Sequence, residues 1–141
     1  MISVFDEGPF APCPHPFNMA AYVLAAGRAV PQKDALLVLG ETQVERWTYA
    51  DIRRAVLGTA TGLLQRGLRA GDMVLLRLGN TVDFPIAYLG ALAAGMVPVP
   101  SSAALTTRET AYIVDLLKPK AVLRDAYVPC PDHPLILDAQ E

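Results

Sequence analysis

The stretch Gly71–Pro100, GDMVLLRLGNTVDFPIAYLGALAAGMVPVP, leaves a chain few folds to choose from. Met73 to Leu78 is a nearly unbroken apolar run behind a Gly-Asp turn, the pattern of a strand buried on both faces. Gly79, Asn80 and Thr81 interrupt it. Ile86, Leu89, Leu92 and Ala93 then recur at the three-to-four spacing of a packed helix face. Gly95 stops that helix, and Met96-Val97-Pro98-Val99 opens a second apolar run. Two buried strands joined through a helix form a βαβ unit, which requires a parallel sheet and a right-handed crossover.

The flanking segments extend this pattern. Pro9, Pro12, Pro14 and Pro16 forbid helix or central strand, so residues 1–16 are expected to form an extended arm. Asn18 suits the N-cap of a helix over Met19–Arg28 that buries Met19, Tyr22, Val23 and Ala26, with Gly27 and Pro31 closing it. Ala35–Leu39 and Val44–Thr48 read as a hairpin about the turn Gly40–Gln43. Thr48 and Asp51 have capping-box spacing, and the helix behind them carries Ile52, Ala55, Val56, Ala60, Leu63 and Leu64 on one stripe. Asp51, Arg53, Arg54, Gln65 and Arg66 are expected on its solvated face, and Gly67 at its C-cap. Thr106 and Glu109 form a second capping box. Its helix is expected to reach Leu117 and bury Tyr112, Ile113 and Leu116, with Ala111 or Leu117 completing the face. Lys118 and Pro119 end it, Ala121–Leu123 reads as a third parallel strand, and Leu135–Leu137 as a last one. The fold class is therefore α/β: a parallel sheet of βαβ units flanked by helices.

Composition excludes several functions. The chain has 141 residues, 18% of them charged and 52% hydrophobic, with a formal net charge of −2. No basic run is present, so nucleic acid is not an expected partner. No apolar run approaches the ~20 residues that span a bilayer, and MISVFDEGPF has neither the basic nor the apolar region of a secretory signal. Two widely separated cysteines read as reduced thiols, and the expected compartment is the cytoplasm. The high apolar content suggests faces that more protein would cover.

Candidate sites are few. Gly79-Asn80-Thr81 lies at the carboxyl end of a parallel strand before a helix, where α/β folds place ligands. It lacks both glycine-rich phosphate signatures, and Pro85 in the first turn puts the cap at Thr81 or Asp83. Asn80 and Thr81 are weak cofactor-binding candidates, read first as a turn residue and a cap. Cys13, His15, Cys130 and His133 have the chemistry of a zinc set, but their C-x-H and C-x-x-H spacings only partly match known knuckles and prolines surround each one. No metal site is assigned. No G-x-S-x-G elbow accompanies the two histidines, so no catalytic residue is assigned either. Asp72 reads as a turn residue, and Trp47 and Tyr49 as core or staple residues.

A linear series nevertheless runs through the chain. It comprises Ala35-Leu36, Trp47-Thr48-Tyr49-Ala50-Asp51, Gly62-Leu63-Leu64, Gly67-Leu68, Gly71-Asp72-Met73-Val74, Asn80, Gly95 to Pro100, and Glu109. It resembles the opening of an AMP-forming acyl-CoA synthetase, of the adenylate-forming superfamily, over roughly residues 17–137. Phe17 to Ala20, Asp83 to Gly90 and Leu105-Thr106 are most similar to benzoate-type aryl-CoA ligases, although Ser101-Ser102 stands where many members place an Asn.

The resemblance implies that a carboxylate attacks ATP with Mg²⁺ to give an acyl-adenylate, from which CoA displaces AMP. It places that chemistry on a phosphate loop ending in Pro-Lys-Gly, an acidic motif and a mobile C-terminal domain. None of these occurs here. The chain is thus expected to be an N-terminal fragment, with 17–141 an incomplete piece of a larger domain. Alone it is expected to hold no cofactor and to be inactive, its partner being the remainder of the enzyme. The alternative is a self-standing, non-catalytic module for protein interaction or dimerisation through uncovered apolar surface.

Overall fold

The structure is a computed structural model that describes residues 8–139. The first seven residues of the expected arm, and residues 140 and 141, lie outside that range; residues 8–16 carry neither helix nor strand.

Among the described residues, α1 (Met19–Leu24) leads through a 3₁₀ turn, Ala26–Arg28, into β1 (Asp34–Leu39) and β2 (Val44–Thr48). Next come α2 (Tyr49–Gln65), β3 (Met73–Arg77), α3 (Asp83–Ala93) and β4 (Val97–Pro100). Finally come α4 (Thr107–Leu117), β5 (Ala121–Arg124) and β6 (Ile136–Asp138). β1 and β2 pair antiparallel, as expected of the hairpin, and the Gly40 amide donates to the Gln43 carbonyl at 2.9 Å. The other strands form a four-stranded parallel sheet in the order β4-β3-β5-β6. The α/β class and the βαβ unit expected of Gly71–Pro100 are both present.

Leu76, Leu123 and Leu137 are in register across three strands and belong to one buried cluster with Val74, Leu78, Ala87 and Ala91. Side chains alternate across a strand, so Leu75, Arg77 and Val122 point to the opposite face, where all three are fully buried.

α3 differs from the single packed face expected of it. Ala87 and Ala91 join the sheet cluster, while Ile86, with Leu89 and Ala93, packs against Ile52 and Val56 of α2. A helix held between a sheet and a second helix layer buries two sides, so its small residues set the spacing. Gly90 lies tight against α2: a Cβ there would sit 2.7 Å from Thr59 Cγ2.

The helix ends follow their local chemistry. Thr48–Asp51 and Thr106–Glu109 both form complete capping boxes. α2 and α3 end alike: Gly67 (φ 88°) and Gly95 (φ 74°) adopt the left-handed conformation, and Leu68 and Met96 then donate back to Leu63 and Ala91. Lys118, also left-handed, ends α4 before Pro119.

Two expected helix faces need correcting. Asn18 does cap α1, accepting from the Ala21 amide at 3.0 Å, and its Nδ2 donates to the Leu92 carbonyl at 2.9 Å. That tie presses Ala20 inward and leaves Met19, Tyr22 and Val23 exposed, and the helix stops at Leu24. On α4 the only fully buried residue is Thr110; Tyr112 and Leu116 stand 70% and 66% exposed. Both errors have one cause: an apolar stripe shows which side of a helix is apolar, and not whether this chain covers it. Leu64, placed on the buried stripe of α2, is exposed for the same reason.

Candidate functional site at the carboxyl edge of the sheet

The carboxyl ends of β3, β4 and β5 are joined by one side chain. Arg77 occupies the last position of β3 and is fully buried. Its Nε and Nη2 donate to the Pro129 carbonyl at 3.2 and 2.7 Å, and Nη2 also reaches the Leu105 carbonyl at 3.0 Å. Nη1 donates to the Ser102 carbonyl and lies 3.5 Å from Ser101 Oγ. Ser101 Oγ in turn donates to the Leu76 carbonyl at 2.9 Å. One guanidinium thereby ties the loop after β4 to the loop after β5. The planar fork of Arg suits this; a lysine could not serve the same carbonyls in one plane.

No carboxylate pairs with Arg77 among the described residues. Burial pushes its guanidinium below the usual value, yet arginine remains a cation at any ordinary pH. The charge is spread over carbonyl dipoles, and no buried side-chain polar atom of the described residues lacks a partner. Cys130 lies in the same region, and burial raises its thiol pKa while Arg124 and Arg77 oppose the rise. A raised thiol pKa keeps it protonated and a poor nucleophile at neutral pH.

Asn80 and Thr81 are both exposed at this edge. Thr81 Oγ1 donates to Asp83 Oδ2 at 3.2 Å, but the N-cap of α3 is Val82, which makes no side-chain cap bond. The expected cap at Thr81 or Asp83 is therefore absent, because Asp83 is already the first helical residue. The Asp125 carboxylate also lies against Gly79, 3.6 Å from where a Cβ would stand. Two carboxylates facing this helix start oppose a phosphate, whatever the helix dipole offers. No step of catalysis is derived from Asn80 or Thr81.

The four possible zinc ligands are not brought together. Cys13 is exposed, and His133 accepts from the Leu135 amide at Nδ1 (3.1 Å) and donates from Nε2 to the Pro119 carbonyl (3.0 Å). Both ring nitrogens serve the loop that leads into β6. Among the described residues no group of three or more His, Cys, Asp or Glu could hold a metal ion. Asp72 is the turn residue expected, accepting from the Arg69 amide at 2.7 Å. Trp47 packs on the α2 cluster, and the Tyr49 ring lies so close to Gly27 that a Cβ there would clash with it at 2.5 Å.

Sequence reasoning passed over Arg77. A signal was available: one charged residue inside a strand otherwise buried on both faces must either break the strand or find many acceptors.

Comparison with known proteins decides the family. A family profile described as AMP-binding enzyme matches residues 24–140. The chain belongs to the AMP-binding enzyme family. It is 53% identical over 49 residues to 4-coumarate–CoA ligase-like 3 of Oryza sativa subsp. japonica, covering 34% of this chain and 8% of that protein. It is 35% identical over 68 residues to the 4-hydroxybenzoate–CoA/benzoate–CoA ligase of Rhodopseudomonas palustris, covering 48% and 13% respectively. Among solved structures, a benzoate CoA ligase from Burkholderia xenovorans LB400 superposes with a TM-score of 0.72 at 29% identity, over 79% of this chain. The chain spans 22% of that structure. The resemblance to AMP-forming ligases is thus met at the level of the family, and benzoate–CoA ligases are among the relatives. Among the described residues no helix is long and apolar enough to cross a membrane.

Proposed function

We propose that this chain is the N-terminal scaffold segment of an ATP-dependent acyl- or aryl-CoA ligase, and that it catalyses neither adenylation nor thioester formation by itself. The observation that carries this is the combination of a family match over 24–140 with coverage of only 22% of the benzoate CoA ligase. The 141 residues also contain no Pro-Lys-Gly loop, and the sheet edge where a phosphate would bind carries carboxylates instead. In this reading residues 17–141 are an incomplete subdomain behind the arm 1–16. ATP, Mg²⁺ and CoA are held by the remainder of the enzyme, in the cytoplasm. Carboxylate-dependent pyrophosphate exchange by the purified chain is the test. No exchange is expected with benzoate, 4-hydroxybenzoate or 4-coumarate; exchange above the blank overturns the reading.

A second reading is favoured by α4, whose Tyr112 and Leu116 are 70% and 66% exposed. In it the chain is a free-standing, non-catalytic module that associates through this face. The DNA beyond the codon for Glu141 separates the two: an in-frame phosphate loop supports the ligase segment, and a stop codon without one supports the module.

A further inference from the structure

A groove separates the 3₁₀ turn after α1 from the outer side of α2. Its main basin holds about 520 Å³ and is lined by Leu24, Pro31, Tyr49 and Leu57 together with Arg28, Arg53 and Arg54. A second depression of about 180 Å³ continues from it and shares Leu24, Arg28, Arg53 and Leu57. Of the three arginines, Arg54 pairs with Asp51 at 3.3 Å. Arg28 and Arg53 have no acidic partner among the described residues, and no acidic residue lines either depression. The patch therefore runs against the −2 net charge of the chain.

The second observation is apolar. The outer side of α2, where Arg53 and Arg54 lie, also carries Leu57 and Leu64 at 48% and 50% exposure. Arg53, Leu57 and Leu64 fall at i, i+4 and i+11, one stripe of a helix. Unpaired cations beside exposed leucines along a helix are what an amphipathic helix bearing carboxylates would meet. A small ligand in so open a groove would stay largely solvated, unlike the usual ligand pocket. A nucleic-acid backbone would find three cations interrupted by Asp51, and not a continuous track.

We propose that this groove docks an acidic amphipathic helix of a partner protein, with carboxylates on Arg28 and Arg53 and an apolar anchor against Leu57. The proposal does not depend on the ligase reading, since the groove lies away from the carboxyl edge of the sheet. The test is fluorescence anisotropy of the full chain with a labelled helical peptide of Leu, Ala and Glu, its Glu residues on one face. Saturable binding is expected, weakened at least about fivefold in the R28E/R53E double variant and in Leu57→Asp. The R108E/K120E variant, which makes the same charge change elsewhere on the surface, should bind as the parent does. All these side chains are exposed, and circular dichroism verifies the fold. Absence of peptide binding, or equal weakening in both charge-reversed pairs, overturns the proposal. So does displacement by millimolar inorganic phosphate, or tighter binding of a single-stranded oligonucleotide or an anionic vesicle. A dimer of the chain that R28E/R53E dissociates also overturns it, since the occupant is then a second copy.

Discussion

The Arg77 guanidinium grips the Pro129 carbonyl with two nitrogens, Nε at 3.2 Å and Nη2 at 2.7 Å, across 52 residues of sequence. The same head serves Leu105 and Ser102, so losing it leaves three backbone carbonyls without this donor. Hydrogen bonds to a charged group contribute about 1.5–3 kcal/mol, so Arg77→Met should destabilise the chain by about that amount in urea denaturation. Arg77→Lys should recover only part, because an ammonium cannot reach all three acceptors. A Met variant as stable as the parent would show that water satisfies the carbonyls.

Gly90 tests the helix layers. Its missing Cβ would stand 2.7 Å from Thr59 Cγ2 and 2.8 Å from Thr59 Cβ, with the Val56 carbonyl at 3.3 Å. Gly90→Ala gains helix propensity yet must separate α2 from α3, and overpacking of this kind costs about 1–3 kcal/mol. A lowered melting temperature is expected, and Gly90→Val should lower it further.

The capping boxes predict an acid limb. Hydrogen bonds from the Thr106 amide and hydroxyl hold the Glu109 carboxyl below its usual value, and those from the Thr48 hydroxyl and amide do the same for Asp51. A carboxyl depressed in the folded state releases its proton more readily there than in the unfolded chain. Its contribution is therefore complete above the ordinary carboxylate range of about 4 and is lost as pH falls through the folded value. Glu109→Gln should flatten the fall in stability between about pH 5 and 3 while keeping the box. Thr48→Ala should cost about 1 kcal/mol at neutral pH by removing the cap itself.

The α4 surface predicts association. Tyr112 and Leu116 lie at i and i+4 and are mostly exposed, so Y112E/L116E should reduce self-association in sedimentation velocity with little change in melting temperature. A large drop in melting temperature would place these side chains in the core.

Much of this fold is legible because its signals are local. Thr48 and Asp51, Thr106 and Glu109, Gly67 and Gly95 each act within a few residues, and each helix boundary they mark is found where the spacing puts it. α1 and α4 misled for the opposite reason: which face a helix buries depends on what else the chain brings to it. The candidate site was less legible. Asn80 and Thr81 occupy the expected edge of the sheet, but the acidity of that edge comes partly from Asp125, forty-four residues beyond Thr81 and invisible to any local pattern.

By itself, then, the sequence of Gly71–Pro100 determined a parallel α/β fold, since a buried strand, a helix and a second buried strand can be satisfied by little else. The ordered series around it pointed to the family of adenylate-forming ligases. Only the tertiary structure decided what Arg77 does. A lone cation in an apolar strand becomes the clasp of the carboxyl edge only when the loops after β4 and β5 fold back to offer Ser102, Leu105 and Pro129 as acceptors. Periodicity reports the polarity of a side chain, and partners brought from 25 to 52 residues away are set by topology.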